Sequence, residues 1–302
     1  MSTTVLTDSG LETWLIFHRG VDLPDFAAFT LLDDPTGREF LAEYFGDHLR
    51  VAQQAGTNIV LETPTWRANR DWGDRLGYDA AALDRVNQDA VAFVRGLGNA
   101  FTGVEVVVSG LLGPKGDAYR PDELLSPDVA ASYHRNQIDS FVRAGVDRVT
   151  LLTATHVGEA IGVIRAATSA GVPVVVSFTV ETNGRLPSGQ ALDDAISEVD
   201  ASTGGAALHF GINCAHPDHF ASALDGTASA ITRIALLRAN ASRASHAELD
   251  EAEQLDDGDP VELAQQYASL LGKHPHLGVL GGCCGTDTRH IEAIARTCIL
   301  KP

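Results

Sequence analysis

Short runs of aliphatic and β-branched residues alternate with amphipathic stretches along the whole chain, and this alternation strongly constrains the fold. Eight runs have the length and composition of strands: Val5–Thr7, Asn58–Leu61, Val104–Ser109, Arg148–Thr153, Val172–Thr179, Ala207–Ile212, Ile231–Leu237 and Leu277–Gly281. Their apolar residues are nearly continuous, which is typical of parallel strands covered on both faces. Apolar residues recur at helical spacing in the stretches between them, such as Gly37–Gln54, Ala80–Leu97, Pro127–Ala144 and His156–Ala170.

Strands that alternate with helices predict an α/β fold, here a (β/α)8 TIM barrel. The alternative is a doubly wound open sheet, which usually carries a G-x-G-x-x-G turn after an early strand. The first strand leads instead into Thr7-Asp8-Ser9-Gly10-Leu11-Glu12, which lacks that spacing. A barrel uses about 250 residues, so we expect the 302 residues to form a single barrel domain over 1–302. The acidic segment at about 239–260 is expected to be a long surface loop, either a solvated connector or a lid.

The chain is strongly acidic, with 40 Asp and Glu against 22 Lys and Arg and a formal net charge of −18. This charge argues against nucleic acid and anionic membranes as partners, because both are bound through clustered Lys and Arg. No apolar run approaches the roughly 20 residues of a membrane-spanning helix, and the polar start of the chain lacks the pattern of a signal peptide. Four cysteines are too few for a disulfide scaffold. We therefore expect a cytoplasmic protein whose partners are small molecules.

Three of the four cysteines lie at the C-terminal ends of predicted strands. Cys214 follows the sixth strand, and Cys283 and Cys284 follow the eighth. Barrel enzymes keep their chemistry at that face. Adjacent side chains on a regular strand point to opposite sides, but the glycines around the cysteine pair permit a turn with positive φ that would bring both thiols to one side.

Three convergent thiolates suit a soft tetrahedral ion, and zinc is the expected metal. Three protein ligands leave one position open, which is typical of a catalytic zinc site. Otherwise the cysteines are buried small residues or a pair prone to oxidation. Cys298 lies in the last helical segment and is expected in the core, whereas His216 either adds an imidazole ligand or opens the next helix.

Zinc held by three thiolates favours alkyl transfer to a thiol. A free thiol has a pKa near 8.5, and a substrate thiol on this zinc would lose its proton and remain a strong nucleophile. Hydrolytic zinc sites usually use His or carboxylate ligands, and no His-Glu-x-x-His motif is present.

The chain resembles the homocysteine S-methyltransferase family over nearly its whole length. Gly211-Ile212-Asn213-Cys214 resembles the family's Gly-x-Asn-Cys, and Gly281-Gly282-Cys283-Cys284-Gly285 its Gly-Gly-Cys-Cys-Gly. Asp8-Ser9-Gly10 resembles the N-terminal Asp-Gly-Gly. The resemblance implies a zinc-dependent (β/α)8 methyltransferase in which Cys214, Cys283 and Cys284 are the ligands. It also implies that Asp8 contacts the amino-acid end of the thiol substrate, and Asn213 is counted as a further substrate-binding candidate.

One position departs from the family pattern. After the fourth strand the family usually has a Glu that helps to hold the homocysteine ammonium, and the matching residue here is Leu152. Either another carboxylate replaces it, with Glu12, Glu62 and Glu181 as candidates, or the acceptor is a thiol other than homocysteine.

The expected methyl donor is a small sulfonium or ammonium compound, because 302 residues leave no room for a second domain that binds folate or cobalamin. S-methylmethionine, S-adenosylmethionine, betaine and a dimethylsulfonium compound would all serve. Such donors favour aromatic faces, and Trp66 is the first candidate, ahead of Trp14 and Tyr119. A different class of function also stays open, namely a non-methylating barrel whose cysteines form a redox or metal-binding site.

Overall fold

Eight parallel strands form a closed barrel in which each strand pairs with the next along the chain and the last pairs with the first. The computed structural model describes residues 4–116, 118, 123–226, 229–252 and 254–300. The strands are β1 (Val5–Thr7), β2 (Ile59–Glu62), β3 (Val106–Leu112), β4 (Arg148–Ala154), β5 (Val174–Phe178), β6 (Phe210–Asn213), β7 (Ile234–Ala239) and β8 (Val279–Gly282). The predicted TIM barrel is confirmed.

Helices follow every strand. The α-helices of the described residues are α1 (Leu11–Thr13), α2 (Pro35–Ala55), α3 (Arg70–Leu76), α4 (Ala80–Asn99), α5 (Pro127–Arg143), α6 (Val157–Ala170), α7 (Leu192–Thr203), α8 (Pro217–Leu224), α9 (His246–Asp250), α10 (Pro260–Lys273) and α11 (Thr288–Ile294). Short 3-10 turns span Pro24–Phe26, Ala28–Asp33 and Ser229–Arg233, and π-helical turns span Trp14–His18 and Ala295–Ile299. Among these described helices, none is long and apolar enough to cross a membrane.

Local sequence sets where the long helices begin and end. Asp34 caps α2 by accepting a hydrogen bond from the Gly37 amide at 2.7 Å, with proline in the first turn. The helix ends at Gly56, which has φ +62° and so adopts the left-handed conformation that glycine tolerates. Ser126 and Asp287 cap α5 and α11.

Two apolar clusters divide the core. The larger one contains outward-facing strand residues such as Leu61 together with helix residues such as Val91, and it fills the layer between barrel and helices. A small one, formed by Leu111, Leu152, Val175 and Leu236, lies inside the barrel. The rest of the interior is largely polar, and this polar filling positions the functional groups.

The predicted strands are correct in number and order but not in all of their bounds. Strands β3, β6, β7 and β8 begin two or three residues later than expected and end later as well. Ile231 illustrates the reason, because it is buried in a 3-10 turn that precedes β7. An apolar run marks burial, and it does not distinguish a strand from a tight turn packed on the core.

Candidate active site

The sulfur atoms of Cys214, Cys283 and Cys284 converge at the C-terminal end of the barrel. Cys214 follows β6 directly, and the other two follow β8. The three Sγ atoms all lie within 4.8 Å of one another, and those of Cys214 and Cys283 are 2.7 Å apart. The expected convergence of these three side chains is therefore present.

The backbone brings the thiols together differently from the sequence prediction. Positive φ was expected of the glycines beside the cysteine pair, but among them only Gly285 has it, at +78°. Gly281 and Gly282 serve close packing instead, because a Cβ atom there would collide with Thr7 and Thr286 respectively. Cys214 itself has φ +54°, a conformation that is costly for a non-glycine residue and that often marks functional sites.

The three thiols share protons. Hydrogen bonds from Cys214 and Cys284 hold the pKa of Cys283 well below its usual value, which favours the thiolate there. The hydrogen bond to Cys283 raises the pKa of Cys214, and the contacts with Cys214 and Cys283 raise that of Cys284. The cluster thus concentrates negative charge on one sulfur among three that can coordinate a cation.

This donor set fits a soft divalent metal. Zinc–sulfur bonds near 2.3 Å in a tetrahedral site place two ligand sulfurs about 3.8 Å apart. The three Sγ atoms lie within 4.8 Å of one another, and the closest pair, Cys214 and Cys283 at 2.7 Å, would separate by about 1 Å to hold the ion. Within the described part of the chain, no other group of three His, Cys, Asp or Glu side chains has its ligand atoms this close together.

His216 does not belong to the cysteine group, because it caps α8 by accepting a hydrogen bond from the Asp218 amide. Cys298 lies in the large core cluster, as expected.

Asn213 holds the cysteines rather than pointing freely into solvent. Its Oδ1 accepts from the Thr153 amide and its Nδ2 donates to Thr153 Oγ1, both at 2.9 Å. The same Nδ2 lies 3.9 Å from Cys283 Sγ, and Thr153 Oγ1 lies 3.8 Å from Cys214 Sγ. Thr153 has φ +64°, at a register irregularity in β4. The motif asparagine therefore ties β4, β6 and the cysteine cluster together.

A cavity of about 370 Å³ opens beside the cysteines. Its wall includes eight of the nine predicted site residues: Asp8, Glu12, Glu62, Trp66, Asn213, Cys214, Cys283 and Cys284. Glu181 is the exception, because it is absent from the cavity wall and its Oε1 lies 3.4 Å from His246 Nδ1. Of the three glutamates proposed to replace the family's Glu, the structure thus brings Glu12 and Glu62 to the cavity and leaves Glu181 outside.

A buried arginine that the sequence prediction missed anchors this region. Arg238, at the end of β7, forms an ion pair with Asp8 Oδ1 at 2.5 Å. Its guanidinium also donates to Thr7 Oγ1 and to the carbonyl oxygens of Ser9 and Gly282 at 2.9–3.1 Å. A signal was available, since an arginine that directly follows an apolar run needs a counterion if it is buried.

Carboxylates at the cavity have perturbed acidity. Burial, with help from the negative charges of Cys283 and Asp8, raises the pKa of Glu12 to about 7. Burial also raises the pKa of Glu62, and the nearby Arg148 guanidinium opposes that rise. Asp8 Oδ2 accepts a hydrogen bond from the Glu62 amide at 3.0 Å, which fixes the ends of β1 and β2 together.

Ser9 forms a second buried network that the sequence prediction missed. Its Oγ lies 2.8 Å from His48 Nε2, and His48 Nδ1 lies 2.7 Å from the Tyr44 carbonyl oxygen. The Ser9 amide donates to the Tyr44 hydroxyl at 3.0 Å. No sequence pattern indicates this network, because it depends on how α2 packs against the end of β1.

Apolar side chains cover the opposite wall. Leu111, Leu152 and the Trp66 ring pack together there, so the position where the family usually has a Glu is an apolar surface. The acidic loop after β7 contributes Leu249 and Leu255 to the cavity. It also contains the short helix α9.

The aromatic donor candidates have different surroundings. The Arg67 guanidinium lies over Trp66 at 4.2 Å and over Trp72 at 3.9 Å from the ring centroids. Trp14 packs against Tyr44 and does not line the cavity. Tyr119 lies outside the described residues. Trp66 thus keeps its place as the candidate at the cavity.

Comparison with known proteins decides the family. Residues 5–298 match the family model described as homocysteine S-methyltransferase. The chain belongs to the homocysteine S-methyltransferase family. It is therefore a methyltransferase, and the resemblance in the strand-end motifs is confirmed. No curated protein sequence is significantly similar to the chain.

Crystal structures of the homocysteine methyltransferase MmuM from Escherichia coli have a similar fold. The oxidised form has a TM-score of 0.79 and 21% identity, over 97% of this chain and 95% of that chain. The metallated form has a TM-score of 0.76 and 20% identity, over 98% of this chain and 96% of that chain. At this identity the similarity concerns the barrel, which both chains share over almost their full lengths.

Proposed function

We propose that this protein is a zinc-dependent S-methyltransferase that moves a methyl group from a small sulfonium or ammonium donor to homocysteine and so forms methionine. The convergence of three cysteine sulfurs on the wall of the cavity carries this proposal. In the reaction the acceptor sulfur forms a bond to the methyl carbon, and the donor's bond to that carbon breaks with its electron pair returning to the donor. The thiol proton leaves to solvent or to a base.

Cys214, Cys283 and Cys284 would hold the zinc ion. When bound, zinc supplies a Lewis acid that lowers the pKa of the acceptor thiol, so that a thiolate is available at neutral pH. The all-thiolate donor set favours zinc over harder cations such as Mg²⁺. The metallated crystal form of Escherichia coli MmuM is consistent with a metal in this family.

The chain's own residues would orient the substrates and exclude water. The wall of Leu111, Leu152 and Trp66 removes water from the sulfur nucleophile, and a displacement on a cationic donor needs mainly such desolvation and alignment. Asp8, fixed by Arg238, faces the cavity and is suited to the amino-acid end of the acceptor. Asn213 keeps the cysteines in place through Thr153.

The donor we favour resembles S-methylmethionine. A cavity of about 370 Å³ lies within the range of small-molecule sites, which supports compact substrates. The electron-rich face of Trp66 would attract the donor's positive charge.

Three other expectations from the sequence stay predictions. They are one domain over 1–302, a cytoplasmic location, and a lid role for the loop at about 239–260.

Metal analysis combined with a methylation assay tests the proposal. The reduced protein, purified with zinc, is expected to hold about one zinc ion per chain. It should convert homocysteine to methionine with S-methylmethionine, S-adenosylmethionine, betaine or dimethylsulfonioacetate as donor, as detected by mass spectrometry. Protein stripped by a chelator should be inactive and should recover on adding zinc. Folded, zinc-loaded protein that methylates no thiol with any of these donors would contradict the proposal.

A redox function is the second candidate, favoured by the 2.7 Å separation between the sulfurs of Cys214 and Cys283. The three cysteines are free thiols in the structure, and this contact makes Cys214 and Cys283 one pair that could be joined on oxidation, besides the adjacent Cys283 and Cys284. Titration of free thiols with and without a chelator distinguishes the candidates. A metal site exposes about three additional thiols on chelation, whereas a disulfide exposes none until a reductant is added.

A further inference from the structure

Glu62 is a buried carboxylate whose hydrogen-bonding capacity is unused. It is the last residue of β2, lines the cavity, and is 3% exposed. Within the part of the chain that the structure describes, neither carboxylate oxygen has a donor in hydrogen-bond geometry, although the Ser109 hydroxyl lies near enough to lower the pKa of Glu62. A buried carboxylate normally accepts several hydrogen bonds, and a vacant one on a cavity wall is suited to a ligand that brings its own donors.

A nearby cation attracts the Glu62 carboxyl group but does not form a hydrogen bond with it. Arg148 Nη2 lies 3.6 Å from Glu62 Oε1, which is close enough for Coulomb attraction but too far for a hydrogen bond. Burial raises the pKa of Glu62, and the attraction to Arg148 opposes that rise. The carboxyl group thus faces a cation that leaves its acceptor positions free for a ligand.

The other carboxylates of the region are less suited to this task. Asp8 lines the same cavity, but Arg238 offsets its charge and the Glu62 amide already occupies its Oδ2, so we expect it to contact the amino-acid end only as a secondary partner of Glu62. Glu12 is only half-buried and lies on α1 rather than at the end of a strand. Glu181 lies outside the cavity wall beside His246.

The vacancy is suited to one kind of cationic group. The methyl-bearing sulfonium or quaternary ammonium centre of a donor presents only methyl and methylene groups, which cannot fill an acceptor vacancy. A primary ammonium carries three N–H donors and a positive charge. Leu152 makes the end of β4 apolar, so an ammonium group finds no charged partner at that position.

We propose that Glu62 binds the α-ammonium group of an amino-acid thiol, so that the end of β2 supplies the anionic contact in this chain. This inference rests on the proposed function and specifies the acceptor as a thiol with a free amino group. Glu62 is then a specificity-determining residue, since it recognises a group four bonds away from the reacting sulfur.

Binding of two thiols that differ only in the amino group tests the inference. Isothermal calorimetry on zinc-loaded protein compares L-homocysteine with 4-mercaptobutanoate. The wild type is expected to bind homocysteine about ten- to a hundredfold more tightly than 4-mercaptobutanoate, because a charge-assisted hydrogen bond usually changes an affinity by about that factor. In Glu62→Gln this preference should fall to near one, through weaker binding of homocysteine alone. Glu181→Gln is the matched control and should keep the preference.

Two further variants separate recognition from folding. Glu62→Gln leaves the buried Arg148 without a counterion, which could destabilise the fold. The double variant Glu62→Gln, Arg148→Gln removes both charges. It should lose the preference for homocysteine over 4-mercaptobutanoate to the same extent. Adding Leu152→Glu to Glu62→Gln supplies a carboxylate at the end of β4 and should restore the preference. Equal preference in the wild type and both Gln variants would overturn the inference, and so would a wild type that does not discriminate. A wild type that discriminates in binding but methylates neither thiol would instead contradict the proposed function.

Discussion

Asp8 and Arg238 form a buried ion pair that joins the ends of β1 and β7, with 2.5 Å between Asp8 Oδ1 and Arg238 Nη2. Both side chains are almost inaccessible to solvent. The same guanidinium donates to the carbonyl oxygen of Gly282, the residue before Cys283. One side chain therefore positions both an expected substrate contact and the start of the cysteine pair.

Arg238→Met is expected to lower the free energy of unfolding by about 3–5 kcal/mol, because it leaves the Asp8 carboxylate buried without a counterion. Urea unfolding followed by circular dichroism measures the loss. Arg243→Met is the control: its partners, Asp218 and Glu262, lie at the surface, and its loss should be much smaller. Similar losses in the two variants would show that the buried pair has no special role.

Cys283→Ala is expected to abolish both zinc binding and methyl transfer, because two thiolates do not form a stable site. The number of zinc ions per chain, measured by inductively coupled plasma mass spectrometry, should fall from about one to below about 0.1. Cys298→Ala removes a cysteine of the core cluster and should retain both zinc and activity. Normal zinc content in Cys283→Ala would refute the assignment of this ligand.

Asn213→Ala is expected to weaken zinc binding about ten- to a hundredfold, as is usual when a residue that orients a metal ligand is lost. The reason is the loss of its hydrogen bonds to Thr153, which hold the ends of β4 and β6 in register. Competition with a chromogenic chelator measures the affinity. Asn99→Ala, at an exposed helix end, serves as the control, and an equal affinity in both variants would contradict the prediction.

His209 is expected to make the fold sensitive to acid. Burial, together with the charge of Arg148, lowers its pKa to about 4, whereas the ring in the unfolded chain binds a proton near pH 6.5. The unfolded state thus binds more protons between about pH 6.5 and 4, and stability falls as the pH falls through that window. In His209→Gln, the free energy of unfolding should fall by up to about 3 kcal/mol less than in the wild type between about pH 7.5 and 4, since a pKa difference of one unit corresponds to 1.36 kcal/mol.

Denaturant unfolding at a series of pH values checks this prediction. The free energies of unfolding of wild type and His209→Gln should keep a constant difference above pH 7.5. The difference should then change in favour of the variant as the pH falls toward 4. Parallel curves over the whole range would show that His209 does not contribute.

Some features of the site follow from strand ends alone. Cys214, Cys283 and Asp8 each lie at or just beyond the C-terminal end of a strand, and in a parallel barrel those ends meet at one face. Glu181 also follows a strand, β5, but it lies outside the cavity wall. Position along the chain therefore indicates the correct face, although it does not indicate the direction of a side chain once the strand has ended.

Other features depend on long-range packing. The contact between Ser9 and His48 joins residues that are 39 positions apart, and it depends on the placement of α2 against β1. Glu62 and Arg148 meet across β3, which lies between their strands. Neither partner could be chosen from the sequence, because many charged residues compete and only the register of the closed barrel selects one.

The sequence by itself determined the number and order of the strands, the parallel sheet and the strand ends that carry the cysteines, because hydrophobic runs and turn residues act locally. Only the tertiary structure decided which of those side chains meet. Cys214 and Cys283 come from β6 and β8, which are separated by β7, and their sulfurs approach through barrel closure and the left-handed backbone at Cys214. That conformation is unfavourable for an isolated cysteine, and the surrounding packing and the hydrogen bonds of Asn213 hold it in place.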